Sequence, residues 1–447
     1  MAAAAGGDDV LEVAVCVIGA GPVGATLACR LASAGMAVAV VDRQPLPPME
    51  HPAFDGRAYA VASASRRLLE EAGVWERLPL PVCPIEGIRV SDGRPGRPAS
   101  PLFLHFDPEE LRGELQGRPF GWMVEARSLR IALNAALHEL PGLHLVAPAE
   151  ATVQRSADGA VIRTSTGRVI RARLVVAAEG RNSPLRAEAN IPVTRLPYNQ
   201  SGIVCAIRHE KPHNNHALEH FLPGGPFAQL PMVPSEAGQN LSAVVWTERT
   251  RLAERLVALP DELFAHEIAR RLGPGLGQVA PVGRRWIYPL SAQYAHRYHD
   301  TRLALIGDAA HGIHPIAGQG LNLGFRDVMA LSRLLIEAAA AGADPGDAAL
   351  LRRYQADRRP ANMTMLVATD LLDRLFSNDN PAIRLARDVG IAAVHRLPGL
   401  KRLFMTAAMG AVPGEAARRP RIPEGDPLSG RNGFPDRSRA GEGRPHA

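Results

Sequence analysis

The chain has 447 residues, of which 46% are hydrophobic, and a formal net charge of +6. This length allows two or three domains with substantial cores, which excludes a small fold held together by disulfides. Of the 51 basic residues 49 are Arg, spread along the whole sequence. We therefore predict no nucleic-acid-binding surface.

Cysteine usage and the lack of targeting signals indicate a reducing compartment. The four cysteines are scattered and form no C-x-x-C pair: Cys16, Cys29, Cys83 and Cys205. Residues 1–10 lack the basic and apolar segments of a secretory signal, and no apolar run is long enough to predict a membrane-spanning helix. We expect a cytoplasmic protein, with peripheral binding to the inner face of the cytoplasmic membrane as an option.

A complete βαβ unit is predicted at the start of the chain. The apolar run at 11–18 has the composition of a buried parallel strand, and it is followed by GAGPVG, a helical pattern and a second strand. This context makes the G-x-G-x-x-G motif indicative of an adenine dinucleotide. Gly19 permits the tight turn, Gly21 lets the backbone approach a pyrophosphate, and Gly24 lets the helix pack closely. Asp42, after the second strand, is placed to accept hydrogen bonds from a ribose.

The middle of the chain changes in character. The predicted elements, in order, are a helix near 63–72, a Pro/Gly-rich surface region at about 79–101, a helix at about 128–140 and a hairpin at 160–180. Alternating segments between about 196 and 294, separated by Pro/Gly turns and one helix near 261–272, then predict an inserted antiparallel sheet.

A second turn motif follows the buried-strand pattern RLALIGD at 302–308. Asp308 ends this strand, where it could accept hydrogen bonds from the linear ribityl chain of FAD, a polyol that NAD lacks. The backbone N–H groups of Gly318, Gln319 and Gly320, which open a predicted helix from about Leu321, can face the negative charge of a reduced flavin ring. Together these features favour FAD.

Two histidines beside this turn raise the question of a metal. His311 and His314 are three residues apart, but no third ligand is evident and Pro315 breaks any helix there. We predict no metal site and a structural role for Pro315 next to the ring. Helices are predicted at 321–342, 347–376 and 381–410, and the tail at 413–447 is too poor in large apolar residues to fold.

Several motifs together carry a family resemblance over residues 11–410. The main motifs are GDAAH, the His-Pro at 314, GQGLNLG and Asp327. Further segments support the resemblance: DGRAYAVASASRRLLEEAGVW, VEARSLRIAL, AEGRNSPLR, EHFLPGGPFAQLP, VVWT and LKRLFMTAAMG. The chain resembles the group A flavoprotein aromatic hydroxylases, in the UbiH-type branch that acts in ubiquinone biosynthesis. The implied fold is α/β: a Rossmann-like FAD-binding domain of the p-hydroxybenzoate hydroxylase type, with an inserted antiparallel β-sheet substrate domain and C-terminal helices.

The implied domain limits follow the changes in pattern. They are 1–10 for a flexible N-terminus, 11–195 for the first part of the FAD-binding domain with 79–105 contributing to the substrate domain, 196–296 for the substrate domain, 297–345 for the second part of the FAD-binding domain, 346–412 for C-terminal helices and 413–447 for a disordered tail.

The resemblance also implies a set of cofactor-binding residues. They are Gly19, Ala20, Gly21, Gly24, Asp42, Arg43, Arg57, Arg127, Asp308, Pro315, Gly318, Gln319, Gly320, Leu321 and Asn322. Arg43 would lie beside the adenosine, Arg57 would approach from the loop after the second strand, and Arg127 would contact the phosphate or ribityl region. A solvated surface charge is the alternative for Arg57 and Arg127. Glu179 stands where the family usually has Asp, whereas Gly180 and Arg186 match its pattern.

The implied activity is a monooxygenase cycle in which NAD(P)H reduces FAD, O2 reacts with the reduced flavin, and a C4a-hydroperoxyflavin hydroxylates a polyprenyl phenol. The 2-polyprenyl-6-methoxyphenol type is the first choice. The alternatives are another ring position, a flavin-dependent isoprenoid reductase, or a non-catalytic flavin-bound subunit of a quinone-synthesis complex.

His220, Tyr288 and His314 are candidate acid or base groups, but none is assigned. Residues 382–410 fit either a helix at a membrane interface or one packed on the protein's own core.

Overall fold

The computed structural model describes residues 10–47, 53–97, 103–107, 118–314 and 318–376. The strands of these residues are β1 Val10–Ile18, β2 Val38–Val41, β3 Ala58–Ala62, β4 Cys83–Ile85, β5 Gly87–Asp92, β6 Phe103–Phe106, β7 Gly121–Glu125, β8 Leu143–Val146, β9 Ala151–Arg155, β10 Ala160–Thr164, β11 Val169–Ala177, β12 Val193–His209, β13 His216–Leu222, β14 Gly225–Met232, β15 Asn240–Arg249, β16 Val279–Ala295, β17 His299–Asp300, β18 Leu303–Leu305 and β19 His311–Gly312. The helices are α1 Pro22–Ser33, α2 Ser63–Glu71, α3 Ala126–Glu139, α4 Pro184–Glu188, α5 Thr250–Val257, α6 Asp261–Leu272, α7 Gln319–Ala340 and α8 Ala348–Phe376.

The first sheet has a parallel centre. Its strand order is β17-β18-β11-β1-β2-β8, and the neighbours from β18 to β8 run parallel. β10 pairs antiparallel with β11 and with β9. The strand residues share one apolar core with α1, α3 and α7. Because helices cover the parallel strands, residues 13–18 of β1 and all of β2 are continuous apolar runs in the sequence.

The first βαβ turn needs glycine at two of its motif positions. Gly19 has a φ of +100°, and a Cβ there would lie 2.5 Å from the carbonyl oxygen of Ala178 in the loop after β11. A Cβ at Gly24 would overlap the carbonyl oxygen of Gly19. These contacts explain how α1 packs closely against the strand ends.

The second sheet is mostly antiparallel, in the order β19-β16-β12-β15-β14-β13-β5-β6, with β13 and β5 parallel. One face packs against α5 and α6 around Trp246 and Phe264. The other face packs against a third sheet, β3-β7-β4, through a core that includes Ala206, Phe221 and Met123. The second sheet is therefore covered on both faces, with the small sheet on the side toward β3.

The prediction of a Pro/Gly-rich surface region at 79–101 is wrong for the residues between Cys83 and Asp92. These residues form β4 and β5, and β5 joins the second sheet beside β13. Cys83, Ile85 and Ser91 are buried. The prolines and glycines that flank this stretch dominate its composition, so the sequence pattern does not indicate the two short strands. These strands form by pairing within the neighbouring sheets.

The other predicted elements lie near the observed ones. The helix predicted at 128–140 is α3, Ala126–Glu139, and the antiparallel insertion runs from β12 to β16. Residues 1–9, the helix predicted at 381–410 and the tail at 413–447 lie outside the described residues. Among the helices that the structure describes, none has both the length and the apolar character needed to cross a membrane.

Candidate active site

Three loops meet at one edge of the first sheet. β1, β11 and β18 are neighbouring parallel strands, so the loops at their carboxyl ends lie side by side. Gly19 contacts Ala178, as described above, and a Cβ at Gly307 would lie 3.3 Å from Cγ1 of Val23 in α1. The two predicted motifs, almost three hundred residues apart in the chain, therefore belong to one site.

The start of α1 provides the cradle for a pyrophosphate. Gly21 caps α1 without a side-chain hydrogen bond, and a Cβ there would meet no described atom within 4 Å. The open N–H groups and positive end of a helix favour phosphate at this point. The geometry agrees with the predicted tight turn at Gly19 and close packing at Gly24, and the pyrophosphate contact of Gly21 stays a prediction.

Asp42 fixes the glycine loop to the end of β2. Its Oδ2 accepts the Ala20 N–H at 2.6 Å, and its Oδ1 accepts the Gln44 N–H at 2.7 Å. Each carboxylate oxygen has a further lone pair, so Asp42 can still accept a hydroxyl from a ribose. Arg43, the next residue, is exposed.

Asp308 lies at the same edge, in the turn that follows β18. The short 3-10 turn Gly307–Ala309 holds its side chain about half-exposed, and the Nε of Arg181 donates to its Oδ2 at 3.2 Å. Arg181 also donates to the Ser291 carbonyl and hydroxyl oxygens at 2.9 Å. An accessible carboxylate in a fixed turn suits the predicted contact with a linear polyol.

The turn before α7 presents backbone N–H groups. Gly318 is left-handed, with a φ of +62°, and caps α7 without a side-chain hydrogen bond. Gln319 is buried, Leu321 is half-buried, and Gly320 is exposed with no described atom within 4 Å of a built Cβ. This helix start can therefore face a ring, as predicted, while Pro315 lies outside the described residues.

Asn322 connects α7 to the strand β3 by hydrogen bonds. Its Oδ1 accepts the Ala62 N–H at 3.0 Å and the Ser65 hydroxyl at 2.8 Å, and its Nδ2 donates to the Ala60 carbonyl at 2.8 Å. The family resemblance implies that Asn322 is one of the cofactor-binding residues. In the structure its amide is directed at β3 and α2, so it positions the turn at Gly318.

Arg57 and Arg127 both have acidic partners. Arg57 donates to Asp55 Oδ2 at 2.7 and 2.9 Å, and its guanidinium lies 4.5 Å from the centre of the Trp286 ring. Burial would raise the pKa of Asp55, but the hydrogen bonds from Arg57 outweigh it and hold that pKa below its usual value. Arg127 Nε donates to Glu125 at 2.6 Å. Both side chains stay partly exposed, so cofactor contact remains a prediction.

Glu179 accepts hydrogen bonds at the start of the short helix α4, whose N-cap is Ser183. Its Oε2 accepts the Ser183 hydroxyl at 2.5 Å and the Leu185 N–H at 3.3 Å. Burial raises the pKa of Glu179, and these two hydrogen bonds oppose the rise. Arg186, which is 4% exposed, donates at 2.8 Å to the carbonyl of Ala309. The two residues thus hold the loop after β11 against the turn of Asp308.

A buried ionic network under this turn was not predicted as such. Asp327 Oδ2 accepts the Gly307 N–H at 3.0 Å and lies 2.5 Å from His311 Nε2, while its Oδ1 accepts from Arg358 Nε at 3.0 Å and from Asn362 Nδ2 at 3.1 Å. Burial would raise the pKa of Asp327, but His311 and Arg358 lower it to about 2. Asp327 was visible in the motif, whereas nothing in the sequence marked Arg358.

The three candidate acid or base groups are dispersed. His220 is buried, with Nδ1 2.7 Å from the Ser91 hydroxyl, and burial lowers its pKa to about 4. Tyr288 is 40% exposed. His314 is buried against the Tyr198 ring with Nε2 3.6 Å from Asp373, and burial lowers its pKa although Asp373 opposes this. The structure does not bring these three groups together.

The site fits FAD. An open helix start at Gly21, an accessible acid at Asp308 and an open helix start at Gly320 follow one another along a single edge, which matches the phosphates, polyol and ring of one extended cofactor. The fold and the site define a flavoprotein of the p-hydroxybenzoate hydroxylase-like class.

Comparisons with known proteins agree with this class. A model of the FAD binding domain family matches residues 12–369. A ubiquinone hydroxylase, UbiL, of Rhodospirillum rubrum is 48% identical over 415 residues, 93% of each chain. The 3-demethoxyubiquinol 3-hydroxylase of Escherichia coli is 34% identical over 89% of this chain and 98% of its own. The chain belongs to the FAD binding domain family, and it is an FAD-dependent monooxygenase.

Solved structures share the fold at low identity. The p-nitrophenol 4-monooxygenase PnpA of Pseudomonas putida has a TM-score of 0.71 at 19% identity, over 90% of this chain and 99% of its own. PqsL of Pseudomonas aeruginosa, a probable FAD-dependent monooxygenase, has a TM-score of 0.67 at 23% identity, over 86% and 100%. The predicted fold class is therefore confirmed.

Proposed function

We propose that this monooxygenase hydroxylates the aromatic ring of a polyprenyl phenol in ubiquinone biosynthesis, with NADH or NADPH as reductant and O2 as oxygen donor. The observation that carries the proposal is the apolar face of the second sheet, which packs toward β3, the strand that the turn at Gly318 contacts. An apolar core that extends to the strand beside the Gly318 turn suits a hydrocarbon-rich phenol. The similarity to ubiquinone hydroxylases along almost the whole chain supports this substrate class.

Different residues are proposed to bind the two ends of the cofactor. FAD, when bound, accepts a hydride and activates O2. Gly21 and the start of α1 would hold the phosphates, and Asp308 would orient the polyol. The apolar core that extends to β3 would help to exclude water from the ring.

The ring position is part of the proposal. We favour the 2-polyprenyl-6-methoxyphenol type, which the similar motifs suggested. The test supplies purified protein with phenols in which one ring carbon at a time is blocked by a methyl group. The blocked position that abolishes both hydroxylated product and phenol-stimulated NAD(P)H oxidation identifies the carbon that reacts.

The same experiment separates the other activities. A reductase would saturate prenyl double bonds without placing oxygen in the product. A non-catalytic subunit would be yellow with flavin but would oxidise no NAD(P)H in response to any phenol. Either result would contradict the proposed function.

We also propose that the protein binds the inner face of the cytoplasmic membrane, because a polyprenyl phenol is mostly hydrocarbon and is dissolved there. The cationic and apolar sequence at 382–410 is the proposed contact. The full chain should float with vesicles that contain anionic phospholipid, and replacing Arg384 and Arg387 by Glu should weaken this. Equal flotation of both proteins would contradict the assignment to this segment.

A further inference from the structure

One acidic side chain lies on the apolar face of the second sheet. Glu219 is in β13 between Ala217 and Phe221, and side chains two residues apart in a strand point to the same face. Ala217 and Phe221 both belong to the core between this sheet and β3-β7-β4. The residues opposite Glu219 in the neighbouring strands are Ala228 and Val90. Its surroundings are therefore apolar.

The core on this face of the sheet extends to β3, the strand that the turn at Gly318 contacts. Ala60 of β3 packs against the core that contains Phe221. A Cβ at Gly318 would lie 3.4 Å from Cβ of Ala60. Ala60 therefore contacts both the turn at Gly318 and the core that contains the neighbours of Glu219 in β13.

The Glu219 carboxyl has no partner among the residues that the structure describes, in hydrogen bonds or in ion pairs. Glu219 is 8% exposed, and burial alone raises its pKa to about 7. Glu248 of β15 is equally buried at 7%, but its Oε2 lies 3.7 Å from Arg271. Leaving a buried carboxyl unpartnered destabilises a fold, so such a group indicates a function.

We propose that Glu219 is the general base that accepts the proton of the substrate's phenolic hydroxyl. The inference rests on the proposed function, because it requires a phenol in this site. The phenolic O–H bond breaks and a carboxyl O–H bond forms, which leaves the electron pair on the phenolate oxygen. That charge enriches the ring carbons ortho and para to the oxygen, where an electrophilic oxygen atom is attached most easily.

The remaining atoms and electrons are supplied by the proposed reaction. NAD(P)H provides two electrons and one hydrogen as a hydride, and solvent provides one proton. One atom of O2 forms the new C–O bond, and the other leaves as water with these two hydrogens. The ring C–H bond that is replaced releases its hydrogen as a proton, which completes the new hydroxyl group. Glu219 then returns its proton to the phenolate of the product. Glu219 ends the cycle as a carboxylate.

The test compares Glu219→Gln with wild type and with Glu236→Gln, the same change at an exposed position in the turn after β14. Glutamine keeps the shape of the side chain but cannot accept the proton. We expect kcat of E219Q to fall by about 10²- to 10⁴-fold, the usual contribution of a general base, with FAD content and KM almost unchanged. E236Q should match wild type.

The pH profile distinguishes a base from a structural residue. Wild-type kcat/KM should rise as pH increases through about 7, where Glu219 loses its proton, and E219Q should lack this rise. Glu219→Asp keeps a carboxylate and should recover part of kcat together with the pH dependence. These three results would support the inference.

Three results would overturn it. Equal kcat in wild type and E219Q would remove the base assignment while leaving the proposed function intact. Loss of FAD or a lower unfolding temperature in E219Q would make the residue structural. A wild type that hydroxylates no polyprenyl phenol would overturn the proposed function, and the inference with it.

Discussion

Asp308 is the residue for which we predict a direct contact with the ribityl chain of the flavin. Its carboxylate is accessible and fixed by the turn Gly307–Ala309. Asp308→Ala should weaken FAD binding by about 1.5–3 kcal/mol, because a hydrogen bond to a charged group is lost. The measurement is the ratio of flavin to protein after purification and the Kd from flavin titration. Asp158→Ala, at an exposed turn, is the control, and unchanged FAD affinity in D308A would remove the ribityl assignment.

Glu219 should also make folding stability depend on pH. Its pKa is about 7 in the folded protein and 4.5 as a free side chain, so between these values the folded state binds more protons. Stability therefore falls as pH rises through this window, by up to about 3 kcal/mol. In urea unfolding of the FAD-loaded protein, the stability of E219Q relative to wild type should increase from pH 4.5 to pH 7. A pH-independent difference between them would contradict the burial of an unpartnered carboxyl.

At the residue scale, the sequence predicted what a local motif dictates. Gly19, Gly24 and Asp42 act within one βαβ unit, so their spacing is sufficient. Glu219 was not predicted, because its lack of partners depends on which strands lie beside β13. Glu219 lies inside the EHFLPGGPFAQLP segment, but only the sheet reveals that its neighbours are apolar.

Among the elements, α7 and α8 are joined beneath the turn Gly307–Ala309 by the carboxylate of Asp327. The carboxylate binds Gly307 N–H on one side and Arg358 of α8 on the other. Removing one partner from a buried ion pair typically costs about 3–5 kcal/mol. Asp327→Asn should therefore lower the free energy of unfolding by that amount, measured by urea denaturation, and should weaken FAD binding as the turn loosens.

Asp347→Asn is the matched control for this change. Asp347 Oδ1 accepts the N–H groups of Ala349 and Leu350 at the start of α8. Asparagine caps helices as well as aspartate does, so stability should change little. Equal effects of D327N and D347N would contradict a special role for the buried pair.

The elements also show where sequence patterns are insufficient. α6 and the βαβ unit have complete local signals, and they were predicted close to their observed limits. β4 and β5 were not, because their stability comes from pairing with β7 and β13, which are distant in sequence. Short strands between prolines and glycines carry too little pattern of their own.

At the scale of the whole molecule, the parallel order of β1, β11 and β18 is what makes one cofactor site from two distant motifs. The sequence indicated that GAGPVG and GQG serve opposite ends of FAD, since a polyol-binding acid precedes the second motif. The wall of the second sheet, with Glu219 on it, could be located only from the strand register.

We expect this protein to insert one oxygen atom from O2 into the ring of a polyprenyl phenol. The direct measurement supplies the FAD-loaded protein with NADH or NADPH, a polyprenyl phenol and oxygen-18 gas, and determines the mass of the product. We predict a hydroxylated phenol that carries one oxygen-18 atom, with reductant oxidation stimulated by the phenol. A hydroxyl oxygen derived from water, or a phenol recovered unchanged while FAD is bound, would contradict the account.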